Sequence, residues 1–181
     1  MTNICLIGAK GVGKSTIVSH TIKESTSETW KAKDGTMLLR VVAMADELLH
    51  MRIIYKNNVV GSAINEGCRG IFLVFDISRR STFNVLGSLL EEVSKYCQAT
   101  TPFILVANQL NQVREVSLEE VQKYATEQSL ELIQVDATRQ EDIERLFCSM
   151  WSLLMKHTEH GHLDPVAQAC VNCGVDCHCC K

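Results

Sequence analysis

The segment GAKGVGKST, residues 8–16, is the feature that most constrains how this chain can fold. It fits the pattern G-x-x-x-x-G-K-[ST] and directly follows the apolar run ICLI, which has the character of a buried strand. In such a loop successive backbone N–H groups point inward and bind phosphate oxygens, and the following helix adds its positive end. The segment therefore predicts a strand, a phosphate-binding loop and a helix, with the phosphate contacts made by Gly8, Gly11, Val12, Gly13, Lys14, Ser15 and Thr16.

Strand and helix patterns alternate along the rest of the chain. Apolar runs predict strands at 3–7, 36–45, 48–55, 70–76, 103–107 and 131–135. Helical periodicity predicts helices at 14–24, 81–97, 117–128 and 140–157. This order predicts a three-layer α/β fold with a mostly parallel six-stranded sheet and one antiparallel edge strand. We expect one domain over residues 1–157 and a flexible, cysteine-rich tail over residues 158–181.

Composition excludes several classes of function. The formal net charge is -3, and the Lys and Arg residues are scattered without a basic stripe, so we expect no nucleic-acid binding. No apolar stretch approaches the ~18 residues of a membrane helix, and the N-terminus has no secretory signal pattern. We therefore expect a cytoplasmic protein.

Four segments together resemble a known family. NICLIGAKGVGKST, GIFLVFDISRRSTF, FILVANQLN and VDAT occur in the order and spacing of the Ras-like small GTPases, and the chain is most similar to the Rab branch over about residues 3–157. The resemblance implies the P-loop GTPase (G-domain) fold, with GTP or GDP as bound nucleotide and Mg²⁺ as cofactor. It also implies effector and regulator proteins as partners, and a monomer.

The segments that read the base in this family are altered. The family's N-K-x-D appears as Asn108-Gln109-Leu110-Asn111, and its S-A-K appears as Asp136-Ala137-Thr138. By resemblance, the base contacts fall on Asn108, Gln109, Asn111, Ala137 and Thr138. An asparagine amide replaces a charged acceptor at position 111, so guanine affinity is expected to fall about ten- to a hundredfold or more.

The metal-binding and water-activating segments are also altered. The resemblance assigns Mg²⁺ to Ser15 and to a threonine, for which Thr36 and Thr29 are candidates. The family's D-x-x-G lands on Tyr55 with Asn58 in place of the glycine, or in a rival register on residues 43–46. Neither register supplies the glutamine that orients water, so we name no catalytic residue and expect any GTP hydrolysis to be slow.

Two further residues have alternative roles. Asp76 ends an apolar run, as the acid that binds metal does in other phosphate-loop proteins, although an aspartate there is usually structural in the Ras-like family. Trp30 either stacks on a base, as an aromatic residue of the family does, or is an exposed loop residue.

The chain ends in CVNCGVDCHCCK, where five of its nine cysteines are crowded. Cys179 and Cys180 resemble the doubly prenylated ends of Rab proteins. Two lipids anchor a protein stably on a membrane, whereas one does so only marginally. One alternative is a metal site made by Cys170 and Cys173 with Cys177, His178 and Cys179, and another is a disulfide cluster.

The sequence thus favours an atypical Rab-like GTP-binding protein, anchored on the cytosolic face of an endomembrane, that regulates vesicle traffic by recruiting partners. A pseudo-GTPase scaffold without a nucleotide cycle is the first alternative. An enzyme that uses another nucleotide, with Asp76 as its acid, is the second.

Overall fold

The structure is a computed structural model that describes residues 2–22, 28–31, 37–42, 48–55 and 68–156. Within these ranges, seven strands form a single sheet. They are β1 (Thr2–Gly8), β2 (Glu28–Lys31), β3 (Met37–Val42), β4 (Leu48–Tyr55), β5 (Cys68–Asp76), β6 (Phe103–Asn108) and β7 (Glu131–Val135). Their order across the sheet is β2-β3-β4-β1-β5-β6-β7.

The predicted fold class is confirmed, and the described sheet differs from the prediction in two respects. β1 pairs in parallel with β4 and β5, and β6 continues the parallel series to β7. β3 is antiparallel to both of its neighbours, β2 and β4. The described part of the sheet therefore has seven strands instead of six, and the antiparallel strand lies one position in from the edge. β2 escaped prediction because ETWK is only four residues long and polar at both ends.

Five helices cover the two faces of the described sheet. They are α1 (Lys14–Ile22), α2 (Arg80–Asn84), α3 (Leu86–Ser94), α4 (Leu118–Glu127) and α5 (Gln140–Lys156). The single helix predicted over 81–97 is broken at Val85, whose ψ of -3° interrupts the helical hydrogen bonding. Ser117 begins α4 as predicted, since its hydroxyl accepts a hydrogen bond from the Glu120 N–H at 3.2 Å. None of the helices in the described ranges is long and apolar enough to cross a membrane.

Each face of the sheet has its own apolar core. One core joins the sheet to α1 and α5, and it buries one face of α5: Ile143, Leu146, Phe147, Met150, Trp151 and Leu154. The other core joins the sheet to α3 and α4, with residues such as Leu89 and Val121 fully or almost fully buried. The three-layer arrangement fixes where the parallel strands end, and the motif segments follow those ends.

Candidate functional site

The motif segments meet because they follow the carboxyl ends of neighbouring parallel strands. Gly8 at the end of β1 lies opposite Tyr55 at the end of β4. On the other side, Asp76, Asn108 and Val135 end β5, β6 and β7 in matching register. Ligands of open α/β sheets bind at this edge. The register also places Tyr55 at the strand position of the family's metal-supporting aspartate, whereas residues 43–46 lie outside the described ranges.

Glycine is required at three positions of the phosphate loop. Gly11 and Gly13 have positive φ angles of 75° and 92°, which residues with a Cβ rarely adopt. A Cβ on Gly13 would also overlap the side-chain amide of Asn108, and a Cβ on Gly8 would overlap the Val74 carbonyl oxygen. The predicted loop is therefore closely packed against β5 and β6.

Lys14 is a buried cation at the centre of this loop. Its side chain is only 2% exposed, and its Nζ donates hydrogen bonds to the carbonyl oxygens of Gly8 at 2.7 Å and Ala9 at 2.6 Å. Burial lowers the pKa of Lys14 to about 8. A buried ammonium with a weakened hold on its proton is one that an anionic ligand would stabilise.

Arg79 braces the loop from the neighbouring strand end. Its Nη2 donates a 2.6 Å hydrogen bond to the Gly11 carbonyl oxygen, and its Nε donates a 2.7 Å hydrogen bond to Asp76 Oδ2. Asp76 Oδ1 accepts from both the N–H and the hydroxyl of Ser78, at 2.9 and 2.6 Å. Burial alone would raise the pKa of the Asp76 carboxyl, but the hydrogen bonds from Ser78 and Arg79 outweigh it and hold the pKa below its usual value. Because both carboxylate oxygens are engaged, the geometry supports the structural role of Asp76 over the metal-binding one.

Asn108 links the phosphate loop to both base segments. Its side chain is fully buried, and its Nδ2 donates a 2.9 Å hydrogen bond to the Val12 carbonyl oxygen. Its Oδ1 accepts a 3.1 Å hydrogen bond from the Ala137 N–H. The Ala137 N–H, which the resemblance assigns to a base, therefore already has a hydrogen-bond acceptor within the chain.

The remaining base residues line or flank a cavity of about 410 Å³ between the two base segments. Gln109, Asn111 and Asp136 contribute to its walls. The Asn111 amide donates to the Ser78 hydroxyl at 3.2 Å, and the Gln109 amide oxygen accepts from Arg114 at 2.8 Å. The cavity lies between the two segments to which the resemblance assigns the base contacts, although several of its polar groups already have partners in the chain.

A tight turn follows β7 at Asp136. Its Oδ1 accepts from the N–H and the hydroxyl of Thr138, at 2.9 and 2.6 Å. These bonds, with the hydroxyl of Thr138 contributing most, lower the pKa of Asp136. Thr138 thus serves to close the turn.

The predicted metal ligands are only partly within the described ranges. Ser15 is the second residue of α1, directly after the loop, whereas Thr36 lies outside these ranges. Thr29 and Trp30 lie in β2, at the sheet edge opposite β7, so the structure does not bring them to the base cavity. Among the residues that the structure describes, no group of three or more His, Cys, Asp or Glu residues could hold a metal ion.

The predicted lipidation residues, Cys179 and Cys180, belong to the segment after residue 156, which is also outside the described ranges. Arg79 and Ser78 are parts of the site that the sequence did not predict. The spacing Asp76-x-Ser78 is typical of a side chain that bonds the backbone two residues on. Nothing local in the sequence, however, signals that Arg79 reaches a loop 68 residues earlier.

Comparison with known proteins agrees with this geometry. The family model described as Ras family matches residues 3–156. Rab-25 of Oryctolagus cuniculus is 28% identical over 152 residues, covering 80% of this chain and 71% of the relative. RABA1h of Arabidopsis thaliana is 25% identical over 169 residues, covering 89% and 78%. The GTP-binding protein ypt3 of Schizosaccharomyces pombe is 27% identical over 150 residues, covering 78% and 70%.

Proposed function

The chain belongs to the Ras family of small GTPases, with Rab proteins among its relatives, and from this premise we propose that it is an atypical Rab-like GTP-binding protein. One observation carries the proposal: the phosphate loop keeps Gly11 and Gly13 in positive φ, with the Lys14 ammonium buried at its centre. Burial of the charged lysine destabilises the fold without nucleotide, and a bound phosphate would offset this cost.

Guanine is the base we propose, because a cavity is retained between the segments that hold Asn111 and Asp136. The loss of a charged acceptor at position 111 makes this binding weaker than a carboxylate would allow. The phosphate contacts of the loop therefore supply most of the affinity in this proposal.

Hydrolysis of GTP is slow in this proposal. Catalysis of phosphoryl transfer needs a positioned water and stabilisation of developing charge. Ras family members generally use Mg²⁺ with GTP or GDP. Ser15 is the loop residue that would hold Mg²⁺ here, where the ion would shield the phosphate charge. The residue at the neighbouring strand end is Tyr55, which has no carboxylate, so the described part of the site fits this ion poorly.

Membrane attachment completes the proposal. Rab relatives generally act on the cytosolic faces of endomembranes, and we propose the same place for this chain, with lipids on Cys179 and Cys180 and a role in vesicle traffic through partner recruitment. Replacing both cysteines with serine should release a fluorescently tagged chain from membranes. The matched control, Cys170→Ser with Cys173→Ser, should leave it attached, and attachment of both double variants would contradict the lipid assignment.

A pseudo-GTPase scaffold is the second candidate, and one observation favours it. The Ala137 N–H and the Asn111 amide, which would face a base, bond instead to Asn108 and Ser78. In this alternative the base segments serve only the fold, and partners bind without a nucleotide cycle.

A nucleotide panel separates the two candidates. The full chain is titrated with fluorescent GDP, GTP, XTP and ATP, beside a Lys14→Ala variant whose fold is checked by circular dichroism. We expect guanine nucleotides to bind best and to lose at least about tenfold in affinity in the variant, since a charge-assisted contact is removed. No binding of any nucleotide by the folded chain would favour the scaffold.

A further inference from the structure

Within the described ranges, the end of β4 beside the phosphate loop carries no acidic residue. Mg²⁺ in phosphate-loop proteins is held by the loop Ser or Thr together with an acidic residue at a neighbouring strand end. In this chain the register of β1 and β4 pairs Gly8 with Tyr55, so tyrosine occupies the strand end beside the loop.

The acidic residues described nearby are committed to other partners. Asp76 ends β5, but its two oxygens accept from Ser78 and Arg79, and its carboxyl is 1% exposed. Asp136 follows β7, and its Oδ1 accepts the hydroxyl hydrogen bond of Thr138 that closes the turn. Taking either carboxylate for a metal ion would break charge-assisted or turn-forming hydrogen bonds that hold the site together.

The phosphate loop itself carries two positively charged side chains. Lys14 is buried within it, and Lys10 lies exposed at its tip, between Ala9 and the left-handed Gly11. The amino end of α1, which begins at Lys14, adds a partial positive charge. Two lysines and a helix end thus belong to the loop that would bind the phosphates.

We propose that this chain binds guanine nucleotide without requiring Mg²⁺, because Lys10, Lys14 and the start of α1 neutralise the phosphates. The inference rests on the nucleotide binding proposed above and specifies how that site differs from one built around a metal. Its consequence is that removal of Mg²⁺ does not release the nucleotide.

The test compares the dissociation constant of fluorescent GDP for the full chain in millimolar MgCl₂ and in excess EDTA. We expect the two constants to agree within about threefold, because coupling between two ligands is reciprocal and the protein adds little affinity for the ion. A second measurement is calorimetric titration of Mg²⁺ into the GDP-loaded chain, which should give the affinity that free GDP has for the ion.

Two variants make the test specific. Tyr55→Asp restores a carboxylate at the strand end and should make GDP binding at least about tenfold tighter with Mg²⁺ than with EDTA. Lys10→Ala removes a loop cation and should weaken binding about three- to tenfold in EDTA. Calorimetry on the unaltered chain decides the question even if Tyr55→Asp does not fold.

The outcomes are distinct. Tight GDP binding in both solutions supports the inference, and binding that weakens more than about tenfold in EDTA overturns it while leaving the proposed function intact. Absence of GDP binding in both solutions overturns the proposed function and this inference with it.

Discussion

The side-chain amide of Asn108 donates a 2.9 Å hydrogen bond to the carbonyl oxygen of Val12, and this bond joins the first base segment to the phosphate loop 96 residues earlier. The same side chain accepts from Ala137 in the second base segment. One fully buried residue therefore fixes three segments that are far apart in the sequence.

Replacing Asn108 with aspartate should destabilise the whole site. The carboxylate could not donate to Val12, and a buried charge would face a carbonyl oxygen, so the free energy of unfolding should fall by about 2 kcal/mol or more. Urea unfolding measures this change. The same substitution at exposed Asn84 is the control and should change stability by less than about 0.5 kcal/mol. Equal losses at the two positions would contradict the linking role of Asn108.

Replacing Asn111 with aspartate should strengthen guanine binding. The new carboxylate provides two charged acceptors at the cavity wall, so the dissociation constant for GDP should fall about ten- to a hundredfold, with little change for ADP. Competition of both nucleotides against fluorescent GDP measures the selectivity. Unchanged GDP affinity would mean that the cavity between the base segments does not hold the base.

Replacing Arg79 with methionine should loosen the phosphate loop. The change removes the donor to Gly11 and leaves the buried Asp76 carboxylate without its charged partner, so stability should fall by about 1–3 kcal/mol. GDP affinity should fall as well, because the loop would no longer be held in its bonded conformation. Arg69→Met is the matched control, since Arg69 is exposed at the opposite end of β5 from Asp76. A stable Arg79→Met variant with full affinity would show that the brace is dispensable.

The pKa of Lys14 predicts how binding depends on pH. Burial lowers this pKa to about 8, so below that pH the charged lysine disfavours the fold without nucleotide. The free energy of unfolding of the nucleotide-free chain should therefore rise as the pH increases from about 8 towards the usual lysine pKa. Bound phosphate favours the charged form and raises the pKa again. GDP binding should therefore take up a proton above about pH 8, and its dissociation constant should rise up to about tenfold per pH unit.

Titrations between about pH 6.5 and 9.5 test this dependence. The Lys10→Ala variant should keep the same profile at a weaker overall affinity, because Lys14 is the residue that titrates. A dissociation constant that stays flat across this range would contradict the placement of Lys14 against phosphate.

The sequence predicted those features that local patterns encode. The buried stripe of α5 follows from its helical spacing, and the strand before Gly8 follows from its apolar run. Strand β2 was missed because it is stabilised by pairing with β3, a contact that its own sequence does not show. The break at Val85 was missed because the apolar helical pattern continues on both sides of this residue. The bonds of Asn108 and Arg79 to the loop were also missed, since contacts between distant segments leave no periodic signal.

The most direct test of the account is a calorimetric titration of GDP into the full chain, beside Lys14→Ala. We expect one saturable site with micromolar or tighter affinity for GDP, weakened at least about tenfold in the variant. The absence of heat from a chain that is demonstrably folded, or equal binding by the two proteins, would contradict it.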